Sequence, residues 1–474
     1  MLAKDKIIEE IKKRTGNAPD IKYKDFPIND KTITLVYANS VSSSDSINDF
    51  ILRRLDEDKK NLKNKDLFNY FKNYIPNNSM LQAKDVKEAI YYILNGFTII
   101  LFSESENILA FENKAKIHSD VTRSENEKSL KGPSDSFNEN YENNTGMLRR
   151  RIKSENLWFK EVVVGTESKT RVGLFYMNGI ADDALVNKIY KKISRINVKY
   201  IGSINYVLDA ISNQERSIFP TNLITERADY ACELLMEGRV VLMCENSNEV
   251  IILPCVFLDF FKDPDDYYEK SLNVTASRII RVFAMLLAIL TPAIYISLMA
   301  YNIEAIPNKL LINFTVQKDG VPFSTIFEVI AMSFMFQILR ESDMRYPGKG
   351  GSSISIVGGL VLGQAAVEAG IVSPITIIIV GIASVASLAF SSIEIINSIR
   401  WWQLILICFA SVFGFTGVMF GLLIILAMLV STNSLGKSYF SPFEPFNKDK
   451  QKDGIIFTKS AKLNPSNIIS KEDK

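Results

Sequence analysis

The chain has 474 residues, with 55 Lys and Arg set against 53 Asp and Glu and a formal net charge of +2. That balance, and the lack of a basic stripe interleaved with aromatics, argues against nucleic acid as a partner. Four scattered cysteines (Cys232, Cys244, Cys255, Cys408), none in C-x-x-C spacing, and a single histidine, His118, argue against a disulfide framework, a metal site or a histidine-based triad.

The average hides a division. Almost every charge lies before Arg281 or after Lys437, and the stretch between them reads as membrane. The first residues, MLAKDKIIEEIKK, are charged and lack an apolar core, so no cleaved signal peptide is expected. Residues 1–30 read as a flexible N-terminus. Thr32 to Ala38 (TITLVYA) predicts a strand and SDSINDFILRRL an amphipathic helix; a second helix, Lys84 to Leu94, stops at Asn95-Gly96. FTIILFS and NILAFE then read as two strands joined by a short polar turn.

The same order returns. RVGLFYM (Arg171 to Met177) predicts a strand, Asp182 to Ile196 and Thr225 to Glu237 predict helices, and VVLMCENSNEVIIL predicts a hairpin. Asn95-Gly96 matches Glu237-Gly238 at an offset of 142, as Ile100 does Leu242 and Ile108 does Val250. Leu35 matches Leu174 at an offset of 139. Two similar α/β subdomains follow from this pattern, at 31–113 and 146–270, joined by a polar linker at 114–145. MLRRRIK reads as a basic helix face, solvated or paired between subunits, and the acidic pairs Asp182-Asp183 and Asp265-Asp266 as helix caps. No phosphate-binding, nucleophile or metal motif appears, so no enzyme is expected and no cofactor.

The region 271–436 predicts an α-helical transmembrane bundle, followed by a mobile tail at 437–474. Val282 to Ile303, Ile354 to Ala369, Pro374 to Phe390 and Trp401 to about Val430 predict four crossings, with Phe327 to Leu339 only partly inserted. Lys270, Arg278 and Arg281 precede the first span and Lys437, Lys448, Lys450 and Lys452 follow the last, which puts both ends on the cytoplasmic side. The fold class is thus an α/β soluble N-terminal half plus a transmembrane helical bundle. Between Lys349 and Arg400 the only charges are Glu368 and Glu394, and Gly359 and Gly363 make a G-x-x-x-G. Small faces let helix backbones approach closely in lipid, and an acid facing lipid near mid-bilayer costs about 2–4 kcal/mol. This segment is therefore the candidate core of a self-associating bundle with a polar interior, or else one that packs helices within a single chain.

LKGPSDSFNENYENNTGMLRRRI, LITERADYACELLMEGRVV, FLDFFKDPDDYYE, EAIPNKLL, GVPFS, LRESDMRYP, SISIVGGLVLGQAAVEAGIVSP and YFSPFEPF occur in order from Lys131 to Phe446. With these blocks the chain resembles the A subunit of the GerA-type nutrient germination receptors of bacterial spores. Lys131, Ala228 and the turn Glu245 to Asn248 depart from that pattern. The resemblance implies a multi-pass subunit of the spore inner membrane, with its N-terminal domain and tail on the cytoplasmic (core) side. It implies partnership with a transporter-like B subunit and a lipoprotein C subunit, and homo-oligomerisation in the lipid bilayer around a path for monovalent cations. On that expectation Leu360, Val361 or Leu362 forms an apolar constriction, Gln364 and Glu368 a polar mouth, and Gly359 and Gly363 the close contacts. The alternative is a non-conducting scaffold that docks the transporter-like subunit.

Overall fold

The computed structural model describes residues 3–28, 31–53, 55, 66–74, 80–115, 122–123, 127, 129–211, 217–345, 351–444, 446 and 453–458, so His118 lies outside the described residues. The chain forms two compact units, one from the described parts of 1–214 and 222–255 and one from those of 215–221 and 256–461.

The first unit opens with helix α1 (Ala3–Arg14) and an antiparallel sheet of β1 (Ile21–Ile28), β2 (Lys31–Ala38), β3 (Met80–Ala83), β4 (Phe97–Phe102) and β5 (Ile108–Glu112), in the order β1-β2-β4-β5-β3. Helices α2 (Leu67–Tyr74) and α3 (Val86–Leu94) fall between β2 and β4. Helix α3 starts where the Asp85 side chain accepts from the Glu88 amide, at 2.7 Å, and stops at Gly96, whose φ of +83° suits glycine. Central strand β4 is buried along its whole length, which is why FTIILF is apolar at every position but Thr98.

The plan then repeats. Helix α4 (Tyr141–Arg151) precedes β6 (Leu157–Val164), β7 (Thr170–Met177), α5 (Asp183–Ile193), α6 (Ile204–Ile211), β8 (Leu223–Thr225), α7 (Ala228–Met236), β9 (Val240–Cys244) and β10 (Val250–Leu253). Their sheet order, β6-β7-β9-β10-β8, is the first sheet's order again. The register repeats too: Leu35 pairs with Ile100 as Leu174 pairs with Leu242, and Leu101 with Ile108 as Met243 with Val250. Asp182 caps α5 as expected, but the helix expected from Thr225 begins at Ala228, because Leu223–Thr225 is an edge strand.

The basic MLRRRIK face is not solvated as a whole. Arg149 is fully buried and donates from Nε and Nη2 to the two Asp20 oxygens, 3.1 Å each, tying α4 to the start of β1. Arg151 pairs with Asp135 at 2.5 Å.

The second unit is helical: α8 (Ser271–Ala300), α9 (Asn308–Lys318), α10 (Thr325–Arg345), α11 (Gly351–Glu368), α12 (Pro374–Ser387) and α13 (Ile393–Ser431). Helices α8 and α13 are long and apolar enough to cross a membrane. Helix α13 is two segments meeting at Gly414, whose backbone (φ 58°, ψ −139°) is not helical. A Cβ on Gly421 would strike Leu406, fifteen positions back, which a continuous helix would hold roughly 22 Å away. The chain therefore doubles back, and the run expected as one span is a helical hairpin. Trp402 is buried and stacks on Phe219 (5.5 Å), while Trp401 is exposed, so only one of the two expected interfacial anchors faces outward.

Part of the tail, expected to be mobile, is docked. Asp453 pairs with Lys262 (2.8 Å) and Arg278 (2.9 Å) and accepts from the Tyr267 hydroxyl (3.1 Å). Arg278, fully buried at the foot of α8, also holds Asp266 (2.9 Å) and lies 4.9 Å from the centre of the Phe457 ring. Asp266 also takes Arg281 at 3.0 Å, so it serves the ion cluster as well as its expected cap. Lys262, Arg278 and Arg281 thus meet Asp259, Asp266 and Asp453.

Burial alone would raise the Asp453 carboxyl, but Lys262 and Arg278 outweigh it and hold it below the usual range. Its stabilisation is complete above about pH 4 and is lost as pH falls through the lowered folded value. Asp453→Ala strands Lys262 and Arg278 without that carboxylate and is expected to cost about 3–5 kcal/mol, read as a lowered unfolding midpoint of the detergent-solubilised protein. A loss under about 1 kcal/mol would show the tail to be dispensable to the unit.

Candidate functional site

Helices α10, α11 and α12 form the region that the sequence singles out. Helix α11 ends in a paired closure: the Ile371 amide donates to the Ala366 carbonyl (3.0 Å) and the Gly370 amide to that of Val367 (2.9 Å). Gly370 has φ +63° and its Cβ would lie 3.6 Å from the Gly320 carbonyl oxygen, so the turn demands glycine on conformation. Pro374 opens α12 at its first turn, as Pro prefers.

The two faces of α11 differ. A Cβ on Gly359 would sit 3.8 Å from Leu339 and Phe336 of α10, and one on Gly363 would sit 3.6 Å from Ile377 of α12. The G-x-x-x-G is thus used inside this chain, where it seats α11 between its own neighbours. On the opposite face Val361, Gln364, Ala365 and Glu368 are all exposed, at the i, i+3, i+4, i+7 positions of one stripe. Leu362 is 39% exposed beside that stripe, and the Leu360 side chain lies outside the described residues. Glu368 is the last residue of α11, roughly 10 Å along the axis from Val361, at the helix end where a negative charge opposes the dipole.

The carboxylate that the helices enclose is a different one. Glu328, on the first turn of α10, is 1% exposed. Its Oε2 accepts from the Ser373 amide (2.9 Å), the Ser373 hydroxyl (2.7 Å) and the Thr376 hydroxyl (3.0 Å). Oε1 finds no hydrogen-bond partner among the described residues. Thr376 also shares a hydrogen bond with the Tyr295 hydroxyl of α8 (3.3 Å). Glu328 therefore caps α12 from outside and bolts the α11–α12 turn to α10 and α8. In the sequence this acid merely interrupts the apolar run Phe327 to Leu339. The signal that marks it is the pair of hydroxyls at Ser373 and Thr376, one helical turn apart beside Pro374, which need an acceptor if buried. Among the described residues no group of three or more His, Cys, Asp or Glu side chains is placed to hold a metal ion.

A family model described as Bacillus/Clostridium GerA spore germination protein matches residues 9–467. Spore germination protein KA of Bacillus subtilis (strain 168) is 29% identical over 474 residues, 99% of this chain and 87% of that protein. Spore germination protein GerQA of Bacillus cereus is 33% identical over 376 residues, 79% of this chain and 75% of that protein. Among solved structures, the N-terminal domain of the A subunit of the Bacillus megaterium spore germinant receptor GerK3 is similar over 53% of this chain and 94% of that one, at 25% identity and a TM-score of 0.42. With the match running almost from end to end, the chain belongs to the GerA family of spore germination proteins, as a GerA-type A subunit.

Proposed function

We propose that this subunit oligomerises in the spore inner membrane through its helical unit, with α11 from each copy facing a shared path for monovalent cations. Nutrient sensing opens that path, together with a transporter-like B subunit and a lipoprotein C subunit. The N-terminal unit and the tail then lie on the core side. One observation carries the reading: among the described side chains of α11 the polar pair Gln364 and Glu368 lies with Val361 on the face that no described part of this chain covers. A carboxylate there is costly against acyl chains and favoured against water or a cation. Val361 sits near the middle of α11, where apolar side chains close a narrow path by dewetting, and Glu368 sits at its end as a mouth.

Glu328 fits this reading as a fixed point. It anchors the Glu368 end of α11 through the α11–α12 turn, so an opening movement pivots there and displaces the middle and the far end. The scaffold reading has support of its own, since Gly359 and Gly363 are filled by Leu339, Phe336 and Ile377 of the same chain and require no second copy.

Reconstituted subunit in planar bilayers is expected to carry cation current, and silence under conditions where the oligomer is intact would favour the scaffold. Val361→Ala is expected to raise resting cation leakage several-fold without changing the quantity of assembled protein. Glu368→Gln is expected to lower cation flux with assembly unchanged, and loss of the oligomer instead would make the acid structural. Glu328→Ala leaves the buried Ser373 amide without its acceptor and takes one partner from each of the Ser373 and Thr376 hydroxyls, which keep each other, and is expected to cost about 2–3 kcal/mol, read as a lowered melting midpoint. Glu328→Gln keeps an acceptor and should fall well short of that loss.

A further inference from the structure

Helices α10 and α12 run side by side in the same sense. Glu328 meets Ser373 and Thr376 at one end. Twelve residues further along α10, roughly 18 Å on a helix, Arg340 meets the last turn of α12, where its Nη1 donates to the Ser387 hydroxyl at 3.3 Å. Phe390, just past α12, packs edge-on against Phe261 (5.7 Å), and the Phe261 carbonyl accepts from Arg281 (2.9 Å). The Ser387 end of α12 therefore lies beside the foot of α8.

The cations at that end of the helical unit are of two kinds. Lys262, Arg278 and Arg281 are each matched by an aspartate. Arg340 of α10 and Arg400 of α13, both half-buried, have no ion pair among the described residues. Nε and Nη2 of Arg400, the two nitrogens that grip a carboxylate or a phosphate side-on, meet no acceptor among them. The two guanidiniums are close enough to oppose each other's charge, and Glu341 attracts Arg400 without pairing with it. Their place in the chain says what meets them. Arg340 closes the apolar run Phe327 to Leu339, and Arg400 precedes the uncharged stretch Trp401 to Gly436, so both stand where apolar helix gives way to polar chain. Trp401, next to Arg400, is 59% exposed, and Leu388, next to Ser387, is 62% exposed. Tryptophan rings settle at the headgroup level, and arginine side chains reach the same layer from apolar surface.

We propose that Arg340 and Arg400 together bind the phosphate of an anionic phospholipid, whose acyl chains lie along the exposed apolar surface beside Leu388 and Trp401. A phosphate between the guanidiniums replaces their repulsion with charge-assisted hydrogen bonds to both. Ser387 holds Arg340 in place, and Arg400 turns its side-on pair of N–H groups toward the same oxygens. A soluble phosphate would meet the guanidiniums alone, whereas a lipid also covers the apolar side chains next to them. The headgroup carries net negative charge, because the ammonium of a zwitterionic lipid would bring a third positive charge to the pair. The inference rests on the helical unit lying in a membrane and not on the cation path, so lipid binding is measured on protein that carries no current.

Thermal unfolding of the full chain in a neutral detergent, at constant ionic strength, is the test. Phosphatidylglycerol added to the micelles is expected to raise the midpoint by several degrees with saturation, while phosphatidylcholine and inorganic phosphate leave it unchanged. Arg340→Gln and Arg400→Gln should each weaken the apparent affinity for phosphatidylglycerol about tenfold, and the double variant should lose the response. Lys270→Gln, at an exposed cation outside the pair, should respond as the wild type does. Without lipid the midpoint of the double variant should equal or exceed that of the wild type, because a repulsion has been removed; a merely structural role for the arginines would lower it. No saturable shift with phosphatidylglycerol, an equal shift with phosphatidylcholine, an equal shift with inorganic phosphate (an adventitious anion only), or a wild-type response in the double variant would each overturn the proposal.

Discussion

A charged side chain taken out of water stays charged only where partners meet it, and this chain makes its joints at such places. Arg149 and Asp20 join the second sheet's leading helix to the first sheet. Arg239 and Glu237, both buried, flank Gly238 and tie the end of α7 to the strand that follows, with Arg239 also reaching the Pro254 carbonyl. Arg278 holds a loop acid and a tail acid against the foot of α8. Glu328 holds the α11–α12 turn through donors on one oxygen. Apolar packing has no direction, so neighbours of similar shape can slide past one another. A bidentate pair or a three-donor cap fixes register and angle, and each of these joins elements whose relative placement the sheets and helices do not themselves determine.

The sequence disclosed what local periodicity controls. Strands β2, β4, β7 and β9 are mostly apolar and largely buried because they lie inside their sheets, and the glycines at 96 and 238 end their helices in the left-handed backbone that glycine prefers. Matching offsets in those strands became matching register in the sheets. The outer strands were less legible. IKYKDFPI carries two lysines, an aspartate and a proline, a polar pattern proper to a sheet edge that reads as loop when taken alone. The three-residue strand Leu223–Thr225 went unread and its last residue was assigned to the helix that follows, because so short a strand carries too little pattern to separate the two. The reversal at Gly414 was hidden for a similar reason. Its neighbours are apolar on both sides, and hydropathy does not record direction.

Long-range partners were the least legible. Nothing near Asp453 in the sequence names Arg278, 175 positions earlier, and a polar tail with no apolar periodicity looks unstructured when the groups that order it are charges elsewhere. The same limit governs the two acids of the helical unit. Glu328 and Glu368 are each single carboxylates in apolar surroundings, and composition gives no reason to rank them. What separates them is whether hydroxyls from another turn reach the acid.

That difference gives the two carboxylates opposed tasks. Glu328 is enclosed and receives three hydrogen bonds, so moving it would break all three at once. Glu368 is uncovered and stands at a helix end where the backbone dipole disfavours it, so neither its helix nor the rest of the described chain accounts for its charge. A carboxylate that opposes its helix dipole and gains no partner among the described residues is left to water or to another charged or polar group. Gly359 and Gly363 already spend the small face of α11 on the chain's own helices, so among its described side chains the stripe from Val361 to Glu368 is the one that faces away from them.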